Sequence, residues 1–369
     1  MINILADKHI FKLKRYLPLR DVNIKLFDPQ EGFKQIPEQI NALFTRTTLK
    51  IDQELIEHFP DSLKFVATAS AGTDHVDIPA LKKNNIAFAN AAGCNARSVA
   101  EYVATAILIW AEERNISIQN LSVGIIGAGN TGSETQKILQ SLGIKTEAYD
   151  PPLQERDKKF KLASLGEVLN CDILTFHVPL TFNEKYATFY WLDEKKLSSS
   201  FKLIINASRG GVIDEKALLS AFQRNDVDDY ILDVWEDEPF FRDESAKSAF
   251  IHTPHIAGYS IQAKLNGSRQ VAESFCNFFN LEMPEPDEYR NKKTVHIRQN
   301  ITFQKLLKQI HPIADYHRKF SRLIGKPKDL KKSGFSRIRT KHSLRNEYKT
   351  LEIPDEIKQK FEQINQLQQ

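Results

Sequence analysis

Three residues in separate loops have the chemistry to oxidise an alcohol beside a carboxylate. Arg209 follows the apolar run Leu203 to Asn206, Glu238 precedes Pro239, and His255 follows the run Ile251 to Thr253. A guanidinium is a planar fork that holds a carboxylate by two hydrogen bonds. An imidazole takes or gives a proton near neutral pH, and a glutamate beside it orients the ring and favours its protonated form. Singly, each has an ordinary reading: a surface arginine, a loop histidine, a turn glutamate. Their recurrence at successive strand ends, with Asp233 closing the run Tyr230 to Asp233, points to one crevice. Such a group still needs a hydride acceptor.

The acceptor's cradle lies in Leu121 to Gly132. The short apolar run through Ile126 reads as a strand buried on both faces, and it leads into Gly127-Ala128-Gly129-Asn130-Thr131-Gly132, a G-x-G-x-x-G. Gly127 allows the tight turn, Gly129 admits a pyrophosphate to the backbone, and Gly132 lets helix and strand approach. Ser133 to Leu142 has helical spacing, and Gly143 stands where a C-cap glycine belongs. Free N–H groups and the macrodipole at that helix N-terminus favour phosphates, with Asn130 and Thr131 in the loop that leads into it. A second strand, Lys145 to Tyr149, ends at Asp150, about eighteen residues past the last glycine. An acid there meets ribose hydroxyls and repels a 2′-phosphate, which favours NAD over NADP.

The elements that position these residues alternate between strand and helix. Before the glycine loop, Ile2 to Leu5, Asn23 to Phe27, Ala42 to Phe44, Phe65 to Ala69 and Ile86 to Ala89 read as strands, with helices over Asp52 to Phe59 and Ile78 to Asn84. Two polar loops follow strands there, Thr45 to Thr48 and Thr68 to His75, where ligands bind open α/β sheets and where capping hydroxyls also occur. Asn95 to Trp110 reads as a long apolar helix, and Glu101 within it as a satisfied packing carboxylate. After Asp150 the alternation continues through Asp172 to Phe176, followed by His177 and Val178, and on to Thr253. The expected class is α/β, with a Rossmann-type doubly wound parallel sheet for the cofactor and a smaller α/β substrate domain.

The formal net charge of +4 is too small across this chain to imply nucleic acid, and no run reaches the apolar length of a membrane helix. The N-terminus lacks a signal peptide's apolar core. Cys94, Cys171 and Cys276 are odd in number and far apart, which suits a reducing cytoplasm and argues against a metal site. Beyond Leu281, Met283-Pro284-Glu285-Pro286 reads as a linker. Residues 287–369 then read as a separate basic unit whose charge is a solvated face that also draws anionic substrates. Pro354 to Gln369 reads as a helix that frays at its Gln-rich end.

NASRGGVIDE (206–215), LDVWEDEP (232–239) and TPHIAGYS (253–260) resemble the signatures of the NAD-dependent D-2-hydroxyacid dehydrogenases. The resemblance implies that Arg209, Glu238 and His255 are catalytic. It places Gly127, Gly129, Asn130, Thr131, Gly132, Asp150, Val178, Ala207, Ser208, Asp233 and Gly258 beside NAD, with Asp233 on the nicotinamide carboxamide. AGTDHVD (71–77) looks like the family loop whose backbone N–H groups, at Gly72 and Thr73, meet the substrate carboxylate. Further likeness in ATASAGTDHVD (67–77), AAGCNARSVAEYV (91–103), DILTFHVPLT (172–181) and GFSRIRTKHSLRNEYKTLEI (334–353) narrows the match to a branch acting on a small phosphorylated 2-hydroxy acid. In that branch Thr47, Thr68 and Tyr259 match substrate contacts, and Arg46 with Thr47 and Thr48 could supply phosphate donors. Val178 stands where a threonine is usual.

The same branch implies a flavodoxin-like substrate domain from residues 1–93 plus 256–282 and an NAD domain over 94–255. It adds an α+β dimerisation domain over 287–369, giving a homodimer through Ile297, Ile301, Phe303, Leu306, Leu307 and Ile310. It also implies recycling of the reduced cofactor by a 2-oxo acid. Two rivals stay open: another D-2-hydroxyacid dehydrogenase, such as one acting on 3-phosphoglycerate, and a non-enzymatic NADH sensor of the corepressor kind.

Overall fold

A computed structural model of the chain describes residues 1–29, 31, 36–285, 293–297, 300–341 and 343–369. Two compact units emerge, Met1–Asn95 with Ile261–Arg290, and Ala96–Ser260 with Asn291–Gln369.

The first unit is built on five strands: β1 (Ile2–Asp7), β2 (Val22–Phe27), β3 (Ala42–Thr45), β4 (Phe65–Thr68) and β5 (Ala87–Asn90). All pair in parallel in the order β2-β1-β3-β4-β5, the flavodoxin-like arrangement. β3 and β4 are buried at every position, so they read as unbroken apolar runs rather than alternating ones. The helix Ile261–Phe279 returns to this unit and inserts Phe275 against Phe44 and Phe65, with ring centroids 5.4 and 5.9 Å away. Burying such a ring stabilises the unit by about 1.5–3 kcal/mol.

In the second unit the strands are β6 (Ser122–Ile126), β7 (Lys145–Tyr149), β8 (Ile173–Phe176), β9 (Phe201–Asn206), β10 (Val227–Leu232) and β11 (Ile251–His252). They form a parallel sheet ordered β11-β10-β9-β8-β6-β7. Strand order reverses between β6 and β8, so the glycine loop and His177-Val178 leave the sheet on either side of the switch point. The helix Ala96–Arg114 covers one face, and Trp110 and Arg114 both bond Asp229 on β10.

Several expectations are corrected here. The helix after the glycines starts at Asn130, three residues before the expected Ser133, because it begins inside the glycine motif itself. Residues beyond 291 group with the cofactor sheet rather than forming a unit apart. The cause is visible at Glu101, which is fully buried and accepts from Arg97, from Arg345 and from the Tyr348 N–H. The linker prediction falls partly on Pro286, which lies outside the described residues.

The apolar residues predicted to face a second subunit are also spent internally. Ile301, Leu306, Leu307 and Ile310 are buried in this unit's own core, with Ile297 and Phe303 packed against it. The expected terminal helix is two, Asp355–Lys360 and Glu362–Gln368, broken at Phe361. Its end is tied down: Leu367 is buried and Gln368 donates to the carbonyls of Tyr348 and Leu351. The basic stretch is only partly a solvated face, since Lys331 and Arg345 are buried on acids.

Candidate active site

At the switch point of the second unit the chain is bare backbone. Gly127 has φ 93°, and a Cβ there would meet the His177 carbonyl oxygen at 2.6 Å. A Cβ at Gly132 would lie 1.8 Å from the Gly127 oxygen, which no side chain tolerates. Gly129, by contrast, faces open space and N-caps the helix Asn130–Ser141 without a side-chain cap. Its first-turn N–H groups are therefore free to meet an anion. Asp150 holds this turn: one carboxylate oxygen accepts from Ala128 N–H at 2.9 Å, the other caps the next helix at Leu153 N–H, 2.9 Å. Two acceptor sites of about four remain for a ribose. Val178 is half-buried against Gly127, and its side chain offers no hydroxyl. Beside it His177 touches Thr175, and burial pushes its pKa down to about 3.

The loop after β9 is organised by a residue the motif reading passed over. Asn206 donates to the Arg209 carbonyl at 2.9 Å and accepts from both the N–H and the hydroxyl of Ser208. Arg209 is half-buried, and its Nη1 donates to the Ser208 carbonyl at 2.8 Å. Gly210 lets this loop lie against the next one, since a Cβ there would fall 1.8 Å from the Trp235 oxygen. The doubled glycine after Arg209 was the available signal.

Asp233 is fully buried at the end of β10 and anchors the loop that carries His255. It accepts from Thr253 Oγ1 at 2.6 Å, Ile256 N–H at 2.8 Å and Ala257 N–H at 2.9 Å. Burial raises its pKa, opposed by the charge of His255 and these donors. Because Thr253 spends its proton on Asp233, Tyr102 must donate in its 2.7 Å bond to Thr253. His255 itself sits at φ 56°, a left-handed conformation that costs about 1 kcal/mol, and its N–H bonds the Asp233 carbonyl at 2.6 Å. Tyr102 and Thr253 lie inside quoted motifs, but nothing in the sequence assigned them this role.

Glu238 meets His255 directly, Oε2 to Nδ1 at 2.8 Å, and its other oxygen accepts from Trp235 N–H. Burial works to raise the Glu238 pKa, but the His255 charge and hydrogen bond, the Arg339 charge and the Trp235 N–H hold it below the usual carboxylate range. An ionised carboxylate only accepts, so the shared proton sits on Nδ1. In the neutral imidazole that leaves Nε2 as the lone-pair end, placed to act as a base. Gly258 and Tyr259 complete the loop, Tyr259 N–H turning back onto the Ile256 carbonyl. Ser98 and Glu347 brace it at the Ala257 carbonyl and the Ser260 hydroxyl.

The candidate substrate residues of the first unit lie at its own strand ends. Arg46 follows β3, but its guanidinium forks onto the buried Asp7 at 2.8 and 3.3 Å, which occupies much of the predicted phosphate donor. Thr47 and Thr48 are exposed. Thr68 is buried and bonds Ser70 and His75. The N–H groups of Gly72 and Thr73 donate to no described residue, as an oxyanion-receiving loop requires.

Comparison with known proteins identifies the family and the fold. Residues 96–257 match the family model "D-isomer specific 2-hydroxyacid dehydrogenase, NAD binding domain". The erythronate-4-phosphate dehydrogenase of Bacteroides thetaiotaomicron is 37% identical over 297 residues, covering 79% of this chain and 85% of that one. The same enzyme from Proteus mirabilis is 37% identical over 326 residues, covering 86% and 85%. Among solved structures, the NAD complex of NAD-dependent formate dehydrogenase from Staphylococcus aureus aligns with TM-score 0.60 at 23% identity. It covers 76% of this chain and 96% of that one.

Proposed function

We propose that this chain, which belongs to the erythronate-4-phosphate dehydrogenases within the D-2-hydroxyacid dehydrogenase family, oxidises 4-phospho-D-erythronate at C2. The product is (R)-3-hydroxy-2-oxo-4-phosphooxybutanoate, in the route to pyridoxal 5′-phosphate. The observation that carries the reading is the His255–Glu238 pair with its proton on Nδ1, set beside the Arg209 loop at the end of an NAD-type sheet.

NAD, when bound on the glycine loop, supplies the hydride acceptor; Gly127, Gly129 and Gly132 admit it, and Asn130 and Thr131 offer N–H groups to its phosphates. Asp150 meets the ribose, and Val178, Ala207, Ser208 and Gly258 contribute contacts along it. Asp233 spends three of roughly four acceptor sites on its own loop and keeps one for the carboxamide. His255 Nε2 takes the C2 hydroxyl proton as the C2 hydride departs, Glu238 stabilises the imidazolium that forms, and Arg209 holds the carboxylate and the growing carbonyl oxygen. Thr47, Thr68, Gly72, Thr73 and Tyr259 are assigned to the substrate, with the first unit as its domain.

A 2-oxo acid would serve as the recycling acceptor, taking the hydride and a proton to become a 2-hydroxy acid. The protein works in the cytoplasm as a homodimer assembled through its C-terminal segment; the described residues contain no helix long and apolar enough to cross a membrane. The test is turnover of 4-phospho-D-erythronate, 3-phosphoglycerate and D-lactate in parallel, with 2-oxoglutarate as acceptor. Preference for the first supports the reading. Preference for another acid keeps the mechanism and replaces the substrate. No turnover of any, with NADH bound, favours a sensor.

A further inference from the structure

Among the described residues, Arg339 is an arginine without an acid. It lies in the helix Lys328–Lys341, where its guanidinium forms no hydrogen bond or ion pair with the described residues and its Nε is buried without a partner. Its guanidinium carbon instead stands 5.5 Å from the ring centre of Tyr259 and 5.7 Å from that of Phe335. Three other arginines of this unit are neutralised by acids: Arg97 and Arg345 on Glu101, and the exposed Arg114 on Asp229. In the same helix Lys331 meets Asp243 at 2.7 Å. Native structures pair such groups, and one left unpaired calls for an explanation.

The placement supplies one. An aromatic cluster of Trp235, Phe241, Phe320 and Phe335 ties this helix to the loop that carries Glu238. Arg339 is near enough to Glu238 for its charge to help keep that carboxyl ionised, although burial opposes it. The unpaired cation therefore stands beside Tyr259 and the His255–Glu238 pair at once. The ring of Tyr259 holds the guanidinium by a cation–π contact and leaves its N–H edge for an oxyanion. A phosphate ester brings about −1.5 to −2 charges, and Arg209 is already committed to the carboxylate. A planar fork suits tetrahedral oxygens better than a point charge does.

We propose that Arg339 binds the phosphate of the substrate and is the residue of the C-terminal segment that makes the enzyme select a phosphorylated acid. This rests on the substrate reading above. The rival is a stacking cation that only supports Glu238, and such a role would touch every substrate equally.

The experiment compares kcat/KM for 4-phospho-D-erythronate and for D-erythronate in wild type, Arg339→Ala and Arg339→Lys. Loss of a charged hydrogen-bonding partner lowers kcat/KM for the phosphorylated acid by about 10- to 150-fold, chiefly through KM, and leaves D-erythronate within about twofold. Arg339→Lys recovers part of the loss; if the Ala variant does not fold, the same ratio is read in the Lys variant. Equal losses on both acids, or no loss, overturn the proposal. The wild-type control separates the two readings: should it not turn over 4-phospho-D-erythronate, the substrate reading fails on its own. Calorimetric titration of the NADH-loaded protein with inorganic phosphate then decides on Arg339. Binding about tenfold weaker in Arg339→Ala upholds the site, and unchanged binding rejects it.

Discussion

The two sheets reverse strand order at the same place and use it differently. In the first unit the reversal lies between β1 and β3, and the residues that leave those strands, Asp7 and Arg46, close on each other as an ion pair. In the second it lies between β6 and β8, and what leaves those strands is Gly127 backbone against the His177 carbonyl, with a helix N-terminus facing open space. Topology offers a crevice in both. Side chains decide whether it is filled by the protein or left for a ligand.

Three changes break or sharpen that contrast. Gly132→Val places carbon atoms inside the Gly127 carbonyl, so the turn cannot form; NADH affinity falls by about 100-fold or more, read by fluorescence titration. Retained affinity would mean that the open switch point is not the cofactor site. Asp7→Asn in the first unit removes a buried partner of Arg46, which is itself about a quarter exposed. It costs about 2 kcal/mol in denaturant unfolding and leaves NADH affinity unchanged. A matching loss of affinity would erase the distinction between the two crevices.

The smallest effect concerns how the second unit's loops are braced. Glu215 and Glu236 exchange carboxylate-to-N–H bonds, and burial pushes the Glu215 pKa up to about 7 from 4.5. Between those values the folded protein binds the extra proton, so wild-type stability falls as pH rises through that window and levels off above it. Glu215→Gln lacks this slope. Equal pH slopes for the two proteins in chemical denaturation would contradict the assignment.

Much of this was legible because the second unit announces itself locally. The glycines, Asp150 and the strand-end loops are contiguous motifs, and the buried strands read as apolar runs because parallel sheets cover both faces. The first unit's strands were equally readable, but the pairing of Asp7 with Arg46 was not, since 39 residues separate them. Tyr102 reaches Thr253, and through it Asp233, across 151 residues of chain for the same reason. The C-terminal segment misled most. Its apolar residues have the spacing of any amphipathic helix, and spacing does not say which partner covers the face. Arg345 looked like one more surface cation until its burial on Glu101 was seen.

The most direct test of the account is single-turnover reduction of enzyme-bound NAD by 4-phospho-D-erythronate, in wild type and in His255→Ala, with NADH affinity measured in both. The account predicts fast reduction in wild type, slowed by about 10²–10⁴ in the variant while NADH affinity holds. Equal rates in the two proteins would show that the proton leaves by another route, and would contradict the role assigned to the His255–Glu238 pair.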